Sequence, residues 1–519
     1  METLPEVSQW NSQQYPDKSA FIFEDKAITF LHFENVTNKA AQGLLSEGLN
    51  IKSRVAILAK DSDISYQLVF ACAKSRTVLV GINWKLSAQE ILYILTNSES
   101  EILFVGEEFF SLAEQLMNDL PGIRKIITIK GKHPQWTSYD DWVNNQSIQL
   151  PSIDYNPEDP IVQMYTSGTT GRPKGVQLAH YTFFRLLQGM KAQGDHWMSL
   201  NPNDQILITV PMFHIGGLWW GIQSFIASST GIILDSYIAW KVLETIPKYK
   251  ITKIAMVPAM IQFCLSEPNC YSTDFSSLKA ILYGGSPMTP SLLRKAIQTF
   301  CCDFYQIYGM TETGNCAITL RPEDHSLDGT KRRNVAGKPM PGVEVKILDQ
   351  EGNIVPPNQV GEIYIKSPSR MIGYWKNEKA TQETLQDGWI RTGDGGYMDE
   401  DGYVYVSDRI KDMIICAGEN IFPAEIEAVI TEHPAVAECA VIGIPDELWG
   451  ESVKAFVVLR SGYQIKQREL INFVRSHIAD FKTPKSITWM ESLPRNSSGK
   501  VLKNVLRAPF WEGRERMVN

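Results

Sequence analysis

The run Tyr165-Thr-Ser-Gly-Thr-Thr-Gly-Arg-Pro-Lys-Gly-Val176 follows an apolar stretch, Ile161–Tyr165, and precedes the helical pattern of Phe183, Leu186 and Leu187. Three Gly and four hydroxyl residues in one loop let backbone N–H and side-chain O–H groups wrap phosphate oxygens, and Lys174 adds a cation. The composition is that of a phosphate cradle, with Thr166, Ser167, Gly168, Thr169, Thr170, Gly171 and Lys174 as its candidate contacts. Walker A spacing does not fit, because Pro173 stands where the second Gly is required after Gly168. The GxSxG nucleophile elbow also fails, at both Ser167 and Ser286.

Outward from that loop, short β-branched runs alternate with segments of helical period between residues 26 and 310. The clearest strands are Ala27–Phe30, Val55–Leu58, Val78–Ile82, Ile102–Val105, Ile161–Tyr165, Ile206–Val210 and Ile254–Val257. This alternation predicts α/β architecture with largely parallel sheets. Phe33, Val36, Ala40 and Leu44 mark one apolar helix face, and Ser87 with Glu90 offers a capping box ahead of Ile91. After residue 340, the runs Val343–Leu348, Glu362–Lys366 and Tyr403–Val406, with turns at Asp387-Gly388 and Asp401-Gly402, predict a small β-rich subdomain. A boundary is expected at Asp408. Beyond it, helices Pro423–His433 and Gln467–Ile478 and strands Cys439–Ile444 and Val453–Leu459 predict a compact α+β unit.

The 519 residues allow roughly three structural units at about 150 residues each. Fifty Lys and Arg against 58 Asp and Glu leave a net charge of −8, so there is no general cationic field for nucleic acid or an anionic membrane. Eight Cys show no CxxC pair and no metal-ligand spacing, which speaks against disulfides and zinc and fits a reducing cytoplasm. The start, METLPEVSQW, has no basic segment followed by an apolar one, so no signal peptide is expected. Residues 215–234 are uncharged but broken by Gly, Ser, Thr and Gln, and read as a buried helix leading into a strand rather than a membrane span.

Further motifs follow in order: Gly284-Gly-Ser-Pro287, Tyr308-Gly-Met-Thr-Glu-Thr-Gly314, Arg391-Thr-Gly-Asp394, the run Asp408–Ile421, and Leu493-Pro-Arg-Asn-Ser-Ser-Gly-Lys500. With the loop at 165–176, this set resembles the adenylate-forming superfamily along nearly the whole chain, and is most similar to its bacterial fatty-acyl-CoA synthetases. The resemblance implies a large N-terminal domain, residues 1–408, with two α/β subdomains and a small β-barrel-like one. A mobile α+β C-terminal domain, residues 409–519, would carry the catalytic lysine. It also implies ATP, Mg²⁺ and coenzyme A, and a two-step reaction in which a carboxylic acid becomes an acyl-adenylate and then a thioester. A homodimer and peripheral membrane contact are compatible with it.

By that resemblance Lys500 is the catalytic lysine, a cation bridging the substrate carboxylate and the α-phosphate. Glu312 ligates Mg²⁺, a hard cation that takes carboxylate and phosphate oxygens. Gly284, Gly285, Ser286, Tyr308, Gly309, Met310 and Thr311 meet the adenine and phosphates, Asp394 and Arg409 the ribose, and Lys411 is the hinge. Gly418, Trp449, Lys482 and Lys485 face coenzyme A. Within Val210-Pro-Met-Phe-His-Ile-Gly-Gly-Leu-Trp-Trp-Gly221, Phe213, His214 and Trp219 line the acid pocket, His214 as a gating and catalytic candidate. No Asp follows Phe213, which disfavours an amino acid, while Met212, Ile215, Leu218, Trp219 and Trp220 suit an apolar tail. The expected reaction is medium- or long-chain fatty acyl-CoA formation. Loading of a carrier protein and an aryl-acid CoA ligase stand as alternatives. Presence of both Lys500 and Glu312 speaks against a non-catalytic binding protein.

Overall fold

A computed structural model describes residues 1–150, 152–166, 173–286, 288–325, 335–409, 412–416, 419–446, 449–495 and 501–512, with the side chains at 408, 409, 419 and 420 outside the description. The chain divides into two compact units. The first comprises Met1–Arg332, Ala336–Val345 and Ile365–Ile390, and the second Arg333–Val335, Lys346–Tyr364 and Arg391–Asn519. The second therefore includes segments that precede Asp408.

In chain order the strands of the first unit are β1 (Ser19–Phe23), β2 (Lys26–Thr29), β3 (Arg54–Leu58), β4 (Val78–Gly81), β5 (Ser100–Gly106), β6 (Lys125–Ile129), β7 (Thr137–Ser138), β8 (Pro160–Thr166), β9 (Lys174–Ala179), β10 (Gln205–Ile208), β11 (Thr230–Ile233), β12 (Lys253–Met256), β13 (Ala280–Gly284), β14 (Asp303–Tyr308) and β15 (Ile318–Leu320). One sheet runs β15-β14-β13-β12-β10-β11-β1-β2, parallel from β14 through β1 and antiparallel at either end. The other runs β9-β8-β4-β3-β5-β6-β7, with all pairs after β8 parallel and the two-residue strand Gly373–Tyr374 added antiparallel to β9. The parallel expectation holds. Strands covered on both faces lose the polar alternation: β3 and β4 are buried at every position. Loops at the C-terminal edges of these strands are where ligands bind in open α/β sheets.

Residues 215–234 form helix Ile215–Ile226 followed by β11, as their interrupted apolar pattern predicts. Ser87 accepts the Glu90 N–H and Glu90 Oε2 accepts the Ser87 N–H, completing the capping box. The glycine-rich run differs from its reading. It is followed directly by β9, which pairs with β8 from Pro160 to Thr166, so the loop links two antiparallel strands instead of entering a helix. Val176-Gln-Leu-Ala179 alternates and is drawn into the sheet; the Phe183, Leu186 and Leu187 pattern belongs to a 3₁₀ turn and helix Arg185–Ala192 further on.

Helices Phe30–Ser46, Asp63–Ser75 and Ile215–Ile226 lock over β1 through rings. Phe21 stacks on Tyr66 at 4.9 Å, and Phe225 lies 4.5 Å from Phe70 and 4.8 Å from Phe33. Beside them Lys74 is buried, its ammonium donating to Glu34 at 2.6 Å, Thr37 at 2.8 Å and Asn38 at 2.7 Å. In the second unit, residues 394–398 pair antiparallel with Val404–Arg409. Its C-terminal part is a sheet of Ile414–Cys416, Glu419–Ile421, Val436–Asp446, Gly450–Leu459 and Ser486–Trp489, against which helices Pro423–Glu432 and Gln467–Arg475 pack an aliphatic core.

Removing one partner of a buried ion pair strands the other charge, at a cost of about 3–5 kcal/mol. Glu34→Ala should therefore lower the unfolding free energy measured in urea by that order, whereas Glu158→Ala, at the exposed pair with Arg185, should leave it nearly unchanged.

Candidate active site

Thr166 and Lys174 face each other in register at the ends of β8 and β9, so the two sides of the glycine-rich loop start from one point. The strand Gly373–Tyr374 lies against β9 with Tyr374 opposite Val176, which sets the Tyr374 ring 5.0 Å from the Lys174 ammonium. Tyr374 OH donates to Glu312 Oε1 at 2.7 Å, and Thr166 Oγ1 reaches the same oxygen at 3.4 Å. Glu312 itself sits in a single 3₁₀ turn, Thr311–Thr313. Met310 N donates to Thr313 Oγ1 at 2.9 Å to open that turn, and Gly314 closes it at φ +81°, where a Cβ would lie 2.1 Å from Ser369 O. Met371 N donates to Glu312 O at 2.8 Å, locking the turn to the segment that carries Tyr374.

Glu312 is only 4% exposed and makes no ion pair among the described residues; its Oε2 has no described partner. A carboxylate so far from water needs a compensating charge. Lys174 stands nearby on the Tyr374 ring, and a hard divalent cation fits the free oxygen. No group of three or more His, Cys, Asp or Glu among the described residues forms a protein cage, so such a cation would complete its shell with phosphate and water.

The adenine candidates lie at the C-terminal edges of two neighbouring parallel strands, where Gly284 of β13 is opposite Ile307 of β14. A Cβ on Gly284 would stand 2.5 Å from Ile307 O, and one on Gly309 only 1.8 Å from Asn315 O, so glycine is required at both. Gly285 turns at φ +79° and Ser286 is exposed. Together with Tyr308, which ends β14, and Met310 and Thr311, which follow, they form a contiguous edge with bare backbone beside a phenol ring.

His214 caps the N-terminal end of helix Ile215–Ile226 and lies 4.7 Å from the Phe213 ring. Burial, with the nearby Lys85 ammonium adding repulsion, holds its imidazole down at about 4, so it is neutral at pH 7. Phe213 meets Trp84 edge-on at 6.2 Å. Trp219 is 2% exposed with its ring 6.4 Å from Trp197. Sequence reading missed three residues here. Tyr374 and Trp84 stand in short connections without periodicity, and Asp61, whose Oδ2 accepts the Met212 N–H at 2.9 Å, reads as a surface turn.

In the second unit Asp394 is buried, its N–H donates to Thr392 Oγ1 at 3.0 Å, and it pairs in register with Arg409. Trp449 is exposed, with the Lys485 ammonium 5.5 Å from its ring. Lys485 also pairs with Asp446 at 3.3 Å, and Lys482 with Glu425 at 2.7 Å. Ser167, Gly168, Thr169, Thr170, Gly171, Lys411, Gly418 and Lys500 lie outside the described residues, as does the side chain of Arg409.

Residues 8–375 match the family described as AMP-binding enzyme, and residues 425–500 its C-terminal domain. The chain belongs to the adenylate-forming superfamily. It is 42% identical over its entire length to the fatty acid–[acyl-carrier-protein] ligase ScoC of Streptomyces coeruleorubidus, covering 98% of that protein. It is 32% identical to the indoleacetate–CoA ligase of Aromatoleum aromaticum, across 97% of this chain and 98% of the other. The structure of the anthranilate CoA ligase AuaEII in complex with anthranoyl-AMP superimposes with a TM-score of 0.87 at 28% identity, covering 98% of this chain and 96% of that one. The protein is thus an adenylate-forming ligase on the superfamily's α/β fold, and no helix among the described residues is long and apolar enough to cross a membrane.

Two predictions follow from this geometry. Tyr374→Phe keeps the ring under Lys174 and removes one hydrogen bond to a charged group, so adenylation kcat should fall about 10- to 100-fold with the unfolding midpoint little changed. For pH, burial holds His180, like His214, down at about 4 against an ordinary 6.5, and its Nδ1 accepts the Leu4 N–H. Between those values the unfolded chain binds protons that the native one does not, so these imidazoles withdraw stability as pH falls from 6.5 toward 4. Asp61 acts oppositely: its buried carboxyl, pushed up to about 8 from 3.8, withdraws stability as pH rises through that window. His180→Asn retains an acceptor for Leu4 without titrating. Between pH 7 and 5 it should lose about 2 kcal/mol less stability than wild type in urea titrations.

Proposed function

We propose that the protein activates a medium- or long-chain fatty acid as its acyl-adenylate, releasing pyrophosphate, and passes the acyl group to a phosphopantetheine thiol. The observation that carries this reading is the convergence of Thr166, Lys174, Tyr374 and Glu312 beside the nucleotide edge of β13 and β14. In it, Thr166 and the hydroxyls of Ser167, Thr169 and Thr170 bind the β- and γ-phosphates together with the glycine backbone, while Lys174 neutralises them. Glu312 would hold Mg²⁺, which supplies Lewis-acid neutralisation of the phosphates when bound. Gly284, Gly285 and Tyr308 bind adenine, and Asp394 with Arg409 the ribose diol. The neutral imidazole of His214 closes the acid pocket without placing a charge beside an apolar tail.

Lys500 enters with residues 409–519 to bridge the carboxylate and the α-phosphate. Rotation about Lys411 then exchanges that loop for the one around Gly418 and admits the thiol. A carrier protein is the preferred acceptor. Lys482 and Lys485, expected to meet the nucleotide end of coenzyme A, are each occupied by a carboxylate, and the relative matched end to end at 42% identity is a carrier-protein ligase. Free coenzyme A is the second reading, favoured by the exposed Trp449. All eight Cys are free thiols, in keeping with a cytoplasmic enzyme.

The deciding assay follows AMP and thioester formation with ATP and Mg²⁺ on acids from acetate to palmitate plus benzoate and cinnamate, with coenzyme A or a holo-carrier protein. A maximum within the fatty-acid series and faster transfer to the carrier are expected. A benzoate or cinnamate maximum would overturn the acid, and faster transfer to coenzyme A the acceptor. Lys500→Ala should abolish adenylation yet retain thioester formation from supplied acyl-adenylate.

A further inference from the structure

Residues 61–66 lie outside every motif that carries chemistry in this chain, yet they hold the acid-pocket segment at two points. Asp61 follows β3, and its Oδ2 takes the Met212 N–H at 2.9 Å. Five residues on, Tyr66 OH donates to Gly217 O at 3.3 Å, and its ring occupies the space that a Cβ on Gly221 would need, 2.3 Å away. The neighbouring strand β4 supplies the floor: a Cβ on Gly81 would lie 3.6 Å from Phe213 Cα and 3.8 Å from Phe213 Cβ. On the far side Gly217 packs against the same segment, where a Cβ would lie 2.1 Å from Val210 O.

The Asp61 carboxyl is almost wholly buried and its Oδ1 has no hydrogen-bond partner. Among the described residues a carboxylate there would have one backbone N–H and no ion-pair partner. Burial, together with the charge of Asp235, pushes the group up to about 8, so at neutral pH it is held as the uncharged acid. In that form Oδ2 still accepts from Met212, and the cost of a buried charge is avoided.

We propose that Asp61 and Gly81 are positioning residues for acid selectivity: the first tethers Met212 and the second seats Phe213, and together they fix where the Phe213–His214 wall of the acid pocket stands. Neither touches the acid; each acts through the segment it holds. The inference rests on the pocket assignment made under the proposed function.

The test is pyrophosphate release with acids from butanoate to palmitate, giving kcat and KM for acid and for ATP, alongside thermal melting. Asp61→Ala should raise acid KM about tenfold or more and change the preferred chain length while ATP KM stays within about twofold, because misplacement of a wall penalises the ligand it faces. Asp61→Asn, which keeps an acceptor oxygen in place, should restore acid KM to within about threefold of wild type. Gly81→Ala introduces an ordinary contact and should preserve the acid profile, whereas Gly81→Val drives its methyl groups into Phe213 and should move the maximum to another chain length. An unchanged acid profile in both Asp61→Ala and Gly81→Val overturns the inference. If Asp61→Ala does not fold, an unchanged profile in Gly81→Val alone does so. Equal rises in acid and ATP KM would also overturn it, since a general structural defect moves both. Wild-type protein that releases no pyrophosphate with any acid would instead overturn the acid-activating reading, and this inference with it.

Discussion

A carboxylate kept out of water without an ion-pair partner among the described residues is the constraint around which the site is built. Glu312 is 4% exposed and its described partners are two hydroxyls, Thr166 and Tyr374, on one oxygen. Hydroxyl donors offset part of the desolvation of a carboxylate but supply no opposite charge. Three segments distant in sequence meet at it: the hairpin of β8 and β9, the turn at 311–313, and the short strand at 373–374. On the reading proposed above, the same deficit selects what enters. A polyphosphate alone would be repelled by Glu312, whereas a polyphosphate carrying a divalent cation meets a free carboxylate oxygen on one side and the Lys174 ammonium on the other.

Parallel strands make this convergence affordable in chain length. β3, β4 and β8 present their C-terminal edges together, as do β10, β13 and β14, so loops that begin at neighbouring strand ends are neighbours whatever their separation in sequence. Asp61 after β3 and Met212 after β10, strands of two different sheets, also touch, across 151 positions. The ring cluster of Phe21, Phe33, Tyr66, Phe70 and Phe225 keeps the helices that carry those loops from shifting.

Much of the scaffold was legible because burial of whole strands leaves a plain signal. Val55–Leu58 and Val78–Ile82 read as strands from β-branched content alone, and the Ser87–Glu90 capping box is a local pattern with local hydrogen bonds. Motifs at Gly284, Tyr308 and Glu312 stood out through the family resemblance, and the structure sets them at or just beyond strand ends. What the sequence did not disclose depends on pairing between distant segments. Tyr374 stands in a strand of two residues, and only its register with Val176 brings the hydroxyl to Glu312. Asp61 sits in Lys60-Asp-Ser-Asp63, a polar stretch with every mark of an exposed turn; only the return of the chain at Met212 buries it. The strand β9 was obscured by the helical pattern just beyond it, and six residues of alternation yield to a neighbouring period unless a partner strand is known.

The choice between thiol acceptors turns on a similar distinction between residue type and residue environment. Lys482 and Lys485 are the right residues for a nucleotide phosphate, but each stands beside a carboxylate in a partly exposed ion pair. Such pairs hold only about 0–1 kcal/mol, so a phosphate can displace the carboxylate at little cost. What is lost is net attraction, because lysine and carboxylate together present no charge to an approaching anion. Free coenzyme A brings its 3′-phosphate and pyrophosphate to the protein and gains from unpaired cations. A carrier protein delivers the same pantetheine arm from its own surface and needs none there. On the reading proposed above, neutralised lysines on this face favour the acceptor whose nucleotide end is replaced by protein.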